Sequence, residues 1–427
     1  MKRIYMKFSL PEISLCATAL LALACSGTDP GLPTIGRVAN SDNSLSWLRT
    51  VAIDRALDYR VWSGARAGFV ALVAREGRVV YARTTGFANL EEEIPMDLET
   101  RFHLASMTKP ITAVAAMILV EQGRLSLDEP VAKFIPAFAE SRVVTDRNNN
   151  GEWGTRPLSE PILVRHLLTF TSGIGGYAET DDALDQAWRS PDIEVGGLGS
   201  LADRVNLIPG LPLYEDPGER WRYGWSADVL ARVIERASGE PYETFLHQNL
   251  LDPLGMTSTS YAHAIPDTAT LARLYTHDAG GSLVHDPQFD VTYGRGWTSG
   301  GGGLVSTAPD YMRFALMLAQ GGSLGEVKIL KAETVAEMTR LQVPGGVLAD
   351  VQLEGLGWGL GFSVIADDSK TMMPSTNGDY WWSGRFGTHF WISPKHETVV
   401  VVMQQTERGP YSDLPITPSL VQALSMP

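Results

Sequence analysis

The stretch Leu104-Ala-Ser-Met-Thr-Lys-Pro-Ile-Thr112 places a serine, Ser106, three residues before a lysine, Lys109. A Ser-x-x-Lys pair arises by chance roughly once per few hundred residues of average composition, so the pair alone decides nothing. Its surroundings add content. Downstream, Ile111, Val114, Ala115, Ile118 and Leu119 recur at helical spacing and predict a buried helix face. Pro110 is tolerated only in the first turn of a helix, where backbone N–H groups have no intrahelical partner. Ser106 is therefore expected at a helix N-terminus, where the helix dipole favours developing negative charge on its oxygen. One turn brings Lys109 onto the same face. A partly buried amine there can accept the serine proton. A capping serine beside a solvated lysine explains this stretch equally well, so the remainder of the chain has to decide.

A second element stands at Tyr223-Gly-Trp-Ser-Ala-Asp-Val-Leu-Ala-Arg-Val-Ile-Glu-Arg-Ala-Ser-Gly-Glu240. Val229, Leu230, Val233, Ile234 and Ala237 form one apolar stripe, and Ser226 is a candidate cap for that helix. Tyr223 then lies in the preceding loop, free to point into a cleft. A phenol near a Ser-Lys pair supplies the second proton carrier that acyl transfer needs. Simple packing is the competing reading of a lone loop tyrosine. A third element, Trp382-Ser383-Gly384, sits on a late apolar run.

The rest of the chain sets the frame. Its 427 residues are 44% hydrophobic and 20% charged, enough for a large core. The net charge of −14, without a basic run, argues against nucleic acid as a partner. The start, MKRIYMKF followed by an apolar run ending at Cys25, reads as an export signal over residues 1–25, too short to span a bilayer as a permanent helix. Cys16 and Cys25 are the only cysteines, which leaves the remaining chain without disulfides or a thiol nucleophile. Residues 26–42, rich in Gly, Pro, Ser, Asn and Asp, read as a flexible tether. A helix with apolar positions Leu45, Leu48, Val51, Ile53 and Leu57 is expected to open the folded part. Two apolar runs flank Glu76-Gly77 and predict a β-hairpin. The middle is helical and loop-rich, and the end returns to strands in GWGLGFSVIA, WWSGRFGTHFWIS and ETVVVVMQQ. The pattern predicts an α+β fold: an antiparallel sheet flanked by N- and C-terminal helices, made from residues 43–125 and 291–427, with a mostly helical inserted domain over 126–290.

Ser-x-x-Lys early, Tyr-x-x before a helix and Trp-x-Gly on a late strand follow the order seen in serine β-lactamases and penicillin-binding proteins. The segments VRHLLTFTSGI, LLDPLGMTST, SGGGGLVSTAPDYMRFALML and FGTHFWISPKHETVVVVM extend the likeness over about residues 45 to 425. The chain most resembles the family VIII carboxylesterases, which share the fold of class C β-lactamases. The resemblance implies an active site at the domain interface, with Ser106 as nucleophile and Lys109 and Tyr223 as general base and acid. It implies an oxyanion hole from the backbone N–H groups of Ser106 and Arg385, and no cofactor. Cys25 resembles the lipid-attachment site of bacterial lipoproteins, which implies a periplasmic or outer-membrane protein anchored through that residue.

Two departures from the lactamase pattern bear on substrate. Trp382 stands where lactamases carry the lysine that faces a substrate carboxylate; with Tyr380 and Trp381 it offers an aromatic wall beside Ser383 and Gly384. Trp225 stands where class C enzymes carry asparagine, and indole offers only a donor and bulk. Both favour neutral carboxylic esters of short to medium acyl length. Arg385 could return a cation to the cleft, so a β-lactamase or D-amino-acid-specific peptidase stays open, as does a penicillin-binding module that acylates without turnover.

Two decoys are set aside. Gly321-Gly-Ser-Leu-Gly325 matches the Gly-x-Ser-x-Gly elbow, but it follows a helix rather than a strand, so Ser323 is not expected to act. Asp146-Arg-Asn-Asn-Asn-Gly-Glu-Trp-Gly154 opens like a calcium loop, yet its twelfth position is Pro157 rather than glutamate. The eight histidines show no zinc spacing, and no metal site is expected.

Overall fold

A computed structural model describes residues 45–147, 153–176, 183–189, 199–264, 270–287, 297–344, 354–371, 374–407 and 416–426. All of these lie in the unit Leu32–Pro427. The signal, Cys25, the tether and the centre of the calcium-like loop fall outside the described residues.

Helix α1 (Trp47–Trp62) begins at Ser46, whose hydroxyl accepts from the Arg49 N–H. It buries Ile53 and Leu57 as expected, whereas Leu48 is 70% exposed. Strands β1 (Gly68–Arg75) and β2 (Arg78–Asn89) form the predicted hairpin, with Glu76 and Gly77 both at positive φ. The short β3 (Ile94–Pro95) pairs with β2. Helix α2 (Thr108–Glu121) follows the serine turn. Helix α3 (Ser226–Ser238) follows Tyr223 and ends at Gly239 in the left-handed conformation. Helix α4 (Ala308–Ala319) is capped by Thr307, which accepts from the Asp310 N–H. The C-terminal part supplies β4 (Leu356–Trp358), β5 (Ser363–Ile365), β6 (Tyr380–Ser383), β7 (His389–Ser393), β8 (Thr398–Met403) and helix α5 (Ile416–Ser425).

The strands make one eight-stranded antiparallel sheet in the order β4-β5-β6-β7-β8-β1-β2-β3. Chain start and chain end meet in its middle, where Val70 pairs with Met403 and Val73 with Val400. Both faces of this seam are covered, which is why β8 reads Thr-Val-Val-Val-Val-Met without alternation. Val70, Leu72, Val401 and Met403 join the cluster formed with α2, α3 and α4. Phe69, Ala71, Val400 and Val402 join Ile53 and Leu57 of α1 and Val421 of α5. The architecture is thus the α+β arrangement expected.

Helix α2 goes further than its predicted stripe: every residue from Thr108 to Leu119 is buried, Lys109 and Thr112 included. Apolarity around the whole circumference marks a helix enclosed on all sides. A second difference lies at α3. Ser226 is not its cap: the cap position is Trp225, whose side chain makes no capping bond, and the Ser226 hydroxyl pairs with that of Ser172 at 2.8 Å. The Gly321–Gly325 segment follows α4 and enters a two-stranded hairpin, Ser323–Leu324 with Val327–Lys328, so it lacks the strand-to-helix turn of a nucleophile elbow.

Candidate active site

Ser106 sits in a 3₁₀ turn, Ala105–Met107, that runs directly into α2, with Pro110 inside the first helical turn. Ala105 takes a φ of +47°, a conformation costing a non-glycine residue on the order of 1–3 kcal/mol. Surrounding bonds hold that strain. The Leu104 N–H donates to the Leu304 carbonyl at 2.9 Å, and the Thr388 hydroxyl donates to the Leu104 carbonyl at 3.0 Å. The buried Tyr311 hydroxyl donates to the Met107 carbonyl at 2.9 Å.

Lys109 is 2% exposed. Its Nζ lies 3.1 Å from Ser106 Oγ and donates to the Gly301 carbonyl at 2.6 Å. It also lies 4.7 Å from the centre of the Tyr223 ring. Serine, lysine and tyrosine, from two distant segments, therefore share one place.

Tyr223 is brought there by a backbone ladder. The Arg222 N–H donates to the Phe170 carbonyl at 2.7 Å, and the Trp225 N–H donates to the Gly175 carbonyl at 3.0 Å. Gly176 and Gly224 form a bridge between these. Gly224 has to be glycine, since a Cβ there would come within 2.2 Å of the Gly175 oxygen. Phe170, at φ +54°, packs its ring 5.2 Å from that of Tyr223.

Trp382 joins this group. Its indole N–H donates to the Tyr223 hydroxyl at 3.3 Å, and its ring stands edge-on to Trp358 at 4.6 Å. Trp221 stacks on Tyr223 at 5.8 Å. Trp382, Trp221 and Phe170 thus pack against Tyr223, and Trp358 packs in turn against all three of them. Sequence reading found only the first of these. Tyr380 instead turns into the core beside Phe362, at 5.5 Å, because strand side chains alternate. Trp381 turns to the other face, 5.6 Å from His389. Trp225 is buried, its indole N–H directed at the Trp188 carbonyl 3.4 Å away. Trp358 carried a signal that went unused: it lies in the Gly-Trp-Gly of a predicted strand, and a tryptophan between glycines has room around it.

Gly384, at the end of β6, has no space for a side chain. A Cβ there would lie 2.2 Å from the Leu104 carbonyl oxygen. This close approach sets the Trp382-Ser383-Gly384 strand end against the turn that carries Ser106. Ser383 pairs in register with His389. Arg385 extends outward and is bound by Glu407, with Nε donating to Oε1 at 2.8 Å.

The family model for Beta-lactamase matches residues 53–422. The chain belongs to the beta-lactamase family. Among its relatives is the esterase EstB of Burkholderia gladioli, 30% identical over 360 residues, covering 80% of this chain and 86% of EstB. A methylbutanoyltransferase of Penicillium citrinum that acts on ML-236A carboxylate is 30% identical over 269 residues, covering 61% of this chain and 62% of its own length. Among solved structures, EstCE1, described as a hydrolase with promiscuous acyltransferase activity, superimposes with a TM-score of 0.77 at 26% identity, covering 88% of this chain and 98% of its own. At position 382 this member of the beta-lactamase family places an indole N–H against the tyrosine hydroxyl.

Proposed function

We propose that this chain is a serine esterase acting on carboxylic esters of short to medium acyl length. The single observation that carries the reading is the Lys109 amine 3.1 Å from Ser106 Oγ and 4.7 Å from the Tyr223 ring centre, behind an aromatic surround. Ser106 Oγ attacks the ester carbonyl carbon and forms a C–O bond, while its proton passes to the Lys109/Tyr223 pair. That proton then goes to the departing alkoxide as the ester C–O bond breaks, leaving an acyl group on Ser106. Water repeats the sequence in reverse and releases the acid. The N–H groups of Ser106 and Arg385 receive the oxyanion. Losing one such donor costs about 3–4 kcal/mol of transition-state stabilisation.

The identity with EstB over 86% of that esterase supports the ester as substrate. The Arg385–Glu407 pair supports it further, since a guanidinium already bound by a carboxylate is a poor partner for the acid group of a lactam or peptide. A second reading is acyl transfer, in which an alcohol takes the place of water at the acyl-enzyme. The resemblance to EstCE1 and to the Penicillium transferase favours it as a side activity of the same site.

The proposal extends to organisation and address. The site lies between an α/β part, residues 43–125 and 291–427, and a helical part, 126–290. The chain is exported to the periplasm or outer membrane and anchored through a lipid on Cys25, a reading supported by the signal-like sequence before it. Intact-mass measurement of membrane-extracted protein tests the anchor; an unmodified N-terminal segment overturns it.

Turnover of p-nitrophenyl butyrate against a chromogenic cephalosporin tests the substrate class. Fast ester cleavage with slow or absent lactam cleavage is expected. Equal or faster lactam cleavage overturns the reading, and so does an acyl-serine that accumulates without release. Peptide mass mapping after a phosphonate ester should place the adduct on Ser106.

A further inference from the structure

A buried acid lies behind the lysine. Asp228, in the first turn of α3, is 2% exposed, and its Oδ1 accepts from the Ser299 hydroxyl at 2.6 Å and from the Gly301 N–H at 3.1 Å. The same three-residue segment is bound at every carbonyl. The Tyr261 hydroxyl donates to the Ser299 carbonyl at 2.7 Å, the Thr112 hydroxyl to the Gly300 carbonyl at 2.6 Å, and Lys109 Nζ to the Gly301 carbonyl at 2.6 Å. At positions 300 and 301 the segment rests so closely on α3 that a side chain is excluded. A Cβ at 300 would lie 2.3 Å from the Ala227 oxygen, and one at 301 would lie 2.7 Å from Asp228 Oδ2.

We infer that Asp228 is a positioning residue, which acts through the Ser299–Gly301 segment to hold the Lys109 amine against Ser106. The Lys109 side chain is a flexible four-carbon stem, and hydrogen bonds to Ser106 and Gly301 help aim its nitrogen. The Gly301 carbonyl can aim it only while Gly301 is held in place, and Asp228 anchors that residue at its N–H, one peptide unit before the carbonyl. Burying a carboxyl without donors is costly, so an acid retained at this depth calls for a use. Burial pushes the Asp228 carboxyl up, and the Ser299 hydroxyl and the Lys109 charge pull it back. A shift of about 1 Å in a reacting group can cost on the order of 100-fold in rate.

The inference rests on the proposed Ser106 chemistry, and the full-length chain tests it with Asp228→Ala, Asp228→Asn and Ser106→Ala in parallel on p-nitrophenyl butyrate. Asparagine keeps an oxygen acceptor for Ser299 and Gly301; alanine keeps none. Active-site titration with a p-nitrophenyl phosphonate counts competent sites, so rates refer only to folded enzyme. Asp228→Ala should lower kcat per titrated site about 100-fold with KM within about threefold, and Asp228→Asn should recover to within about tenfold of the parent. Three results overturn the inference: kcat per site unchanged in Asp228→Ala, a loss that appears in KM alone, or Asp228→Asn no better than Asp228→Ala. If Ser106→Ala retains activity, the reading of the site itself fails, whatever Asp228 does.

Discussion

The starts of α2 and α3 both deliver a side chain to the site, and they are fixed by different means. The start of α2 is a local construction: a strained Ala105, a 3₁₀ turn and a lysine one turn beyond the serine. The start of α3 owes its place to residues about fifty positions earlier, through the backbone bonds from Arg222 to Phe170 and from Trp225 to Gly175. Ser106 and Lys109 are set by helix geometry, while Tyr223 is set by how closely two loops approach. The first arrangement should lose its chemistry when its side chains are cut. The second should also be sensitive to backbone bulk well away from any reacting atom.

The largest effect tests the first helix start. Ser106→Ala should reduce kcat/KM for p-nitrophenyl butyrate by about 10⁴-fold or more, with the melting temperature little changed. Next comes the side chain of the second: Tyr223→Phe removes only the hydroxyl and should cost about 10²–10³-fold in kcat, read by steady-state kinetics. Gly224→Ala sharpens the contrast. It touches no proton carrier, yet its Cβ would press to 2.2 Å from the Gly175 oxygen. It should lower kcat about tenfold and destabilise the fold by about 1–3 kcal/mol, measured by denaturant unfolding. A Gly224→Ala protein with parental rate and stability would break the comparison.

The smallest effect is on pH dependence. His166 accepts the Leu163 N–H on Nδ1 at 3.2 Å, just ahead of the loop that carries Phe170. Burial first, and the neighbouring Arg165 charge second, lower its pKa from 6.5 to about 4. A depressed pKa means that the folded state prefers the neutral ring. This contribution is complete above about 6.5 and is lost as pH falls toward about 4. The melting temperature of the parent should decline over that window, and His166→Gln should flatten the decline.

The same contrast explains what could be read in advance. Ser106, Lys109 and the Glu76-Gly77 hairpin depend on spacing within a few residues, which sequence displays directly. The valine-rich run of β8 was legible as a strand, but not that both of its faces are buried. Tyr223 and Trp382 were identifiable only by their order along the chain, because nothing local distinguishes them from packing aromatics. Trp358, Trp221 and Phe170 gave less still, since their meeting near Tyr223 is a product of two loops and the end of β4. Strand parity sent Tyr380 and Trp381 to opposite faces, a consequence of register that a run of three aromatics does not reveal. Leu48 satisfied the helical period of α1 yet points outward, because the position of α1 against β2 and α5 decides which side of the stripe is covered.

The central seam of the sheet has a consequence for biosynthesis. Val73 and Val400 are strand partners separated by 327 positions. A ribosome therefore produces β1 and β2, and then the serine-bearing helix, long before the strand that completes their neighbour exists. Until the last few dozen residues emerge, one rim of β1 remains an unsatisfied, valine-rich template that other nascent chains can pair with. Nucleation from the first hairpin alone cannot finish the molecule. Premature termination anywhere before β8 should yield insoluble material rather than a smaller working enzyme.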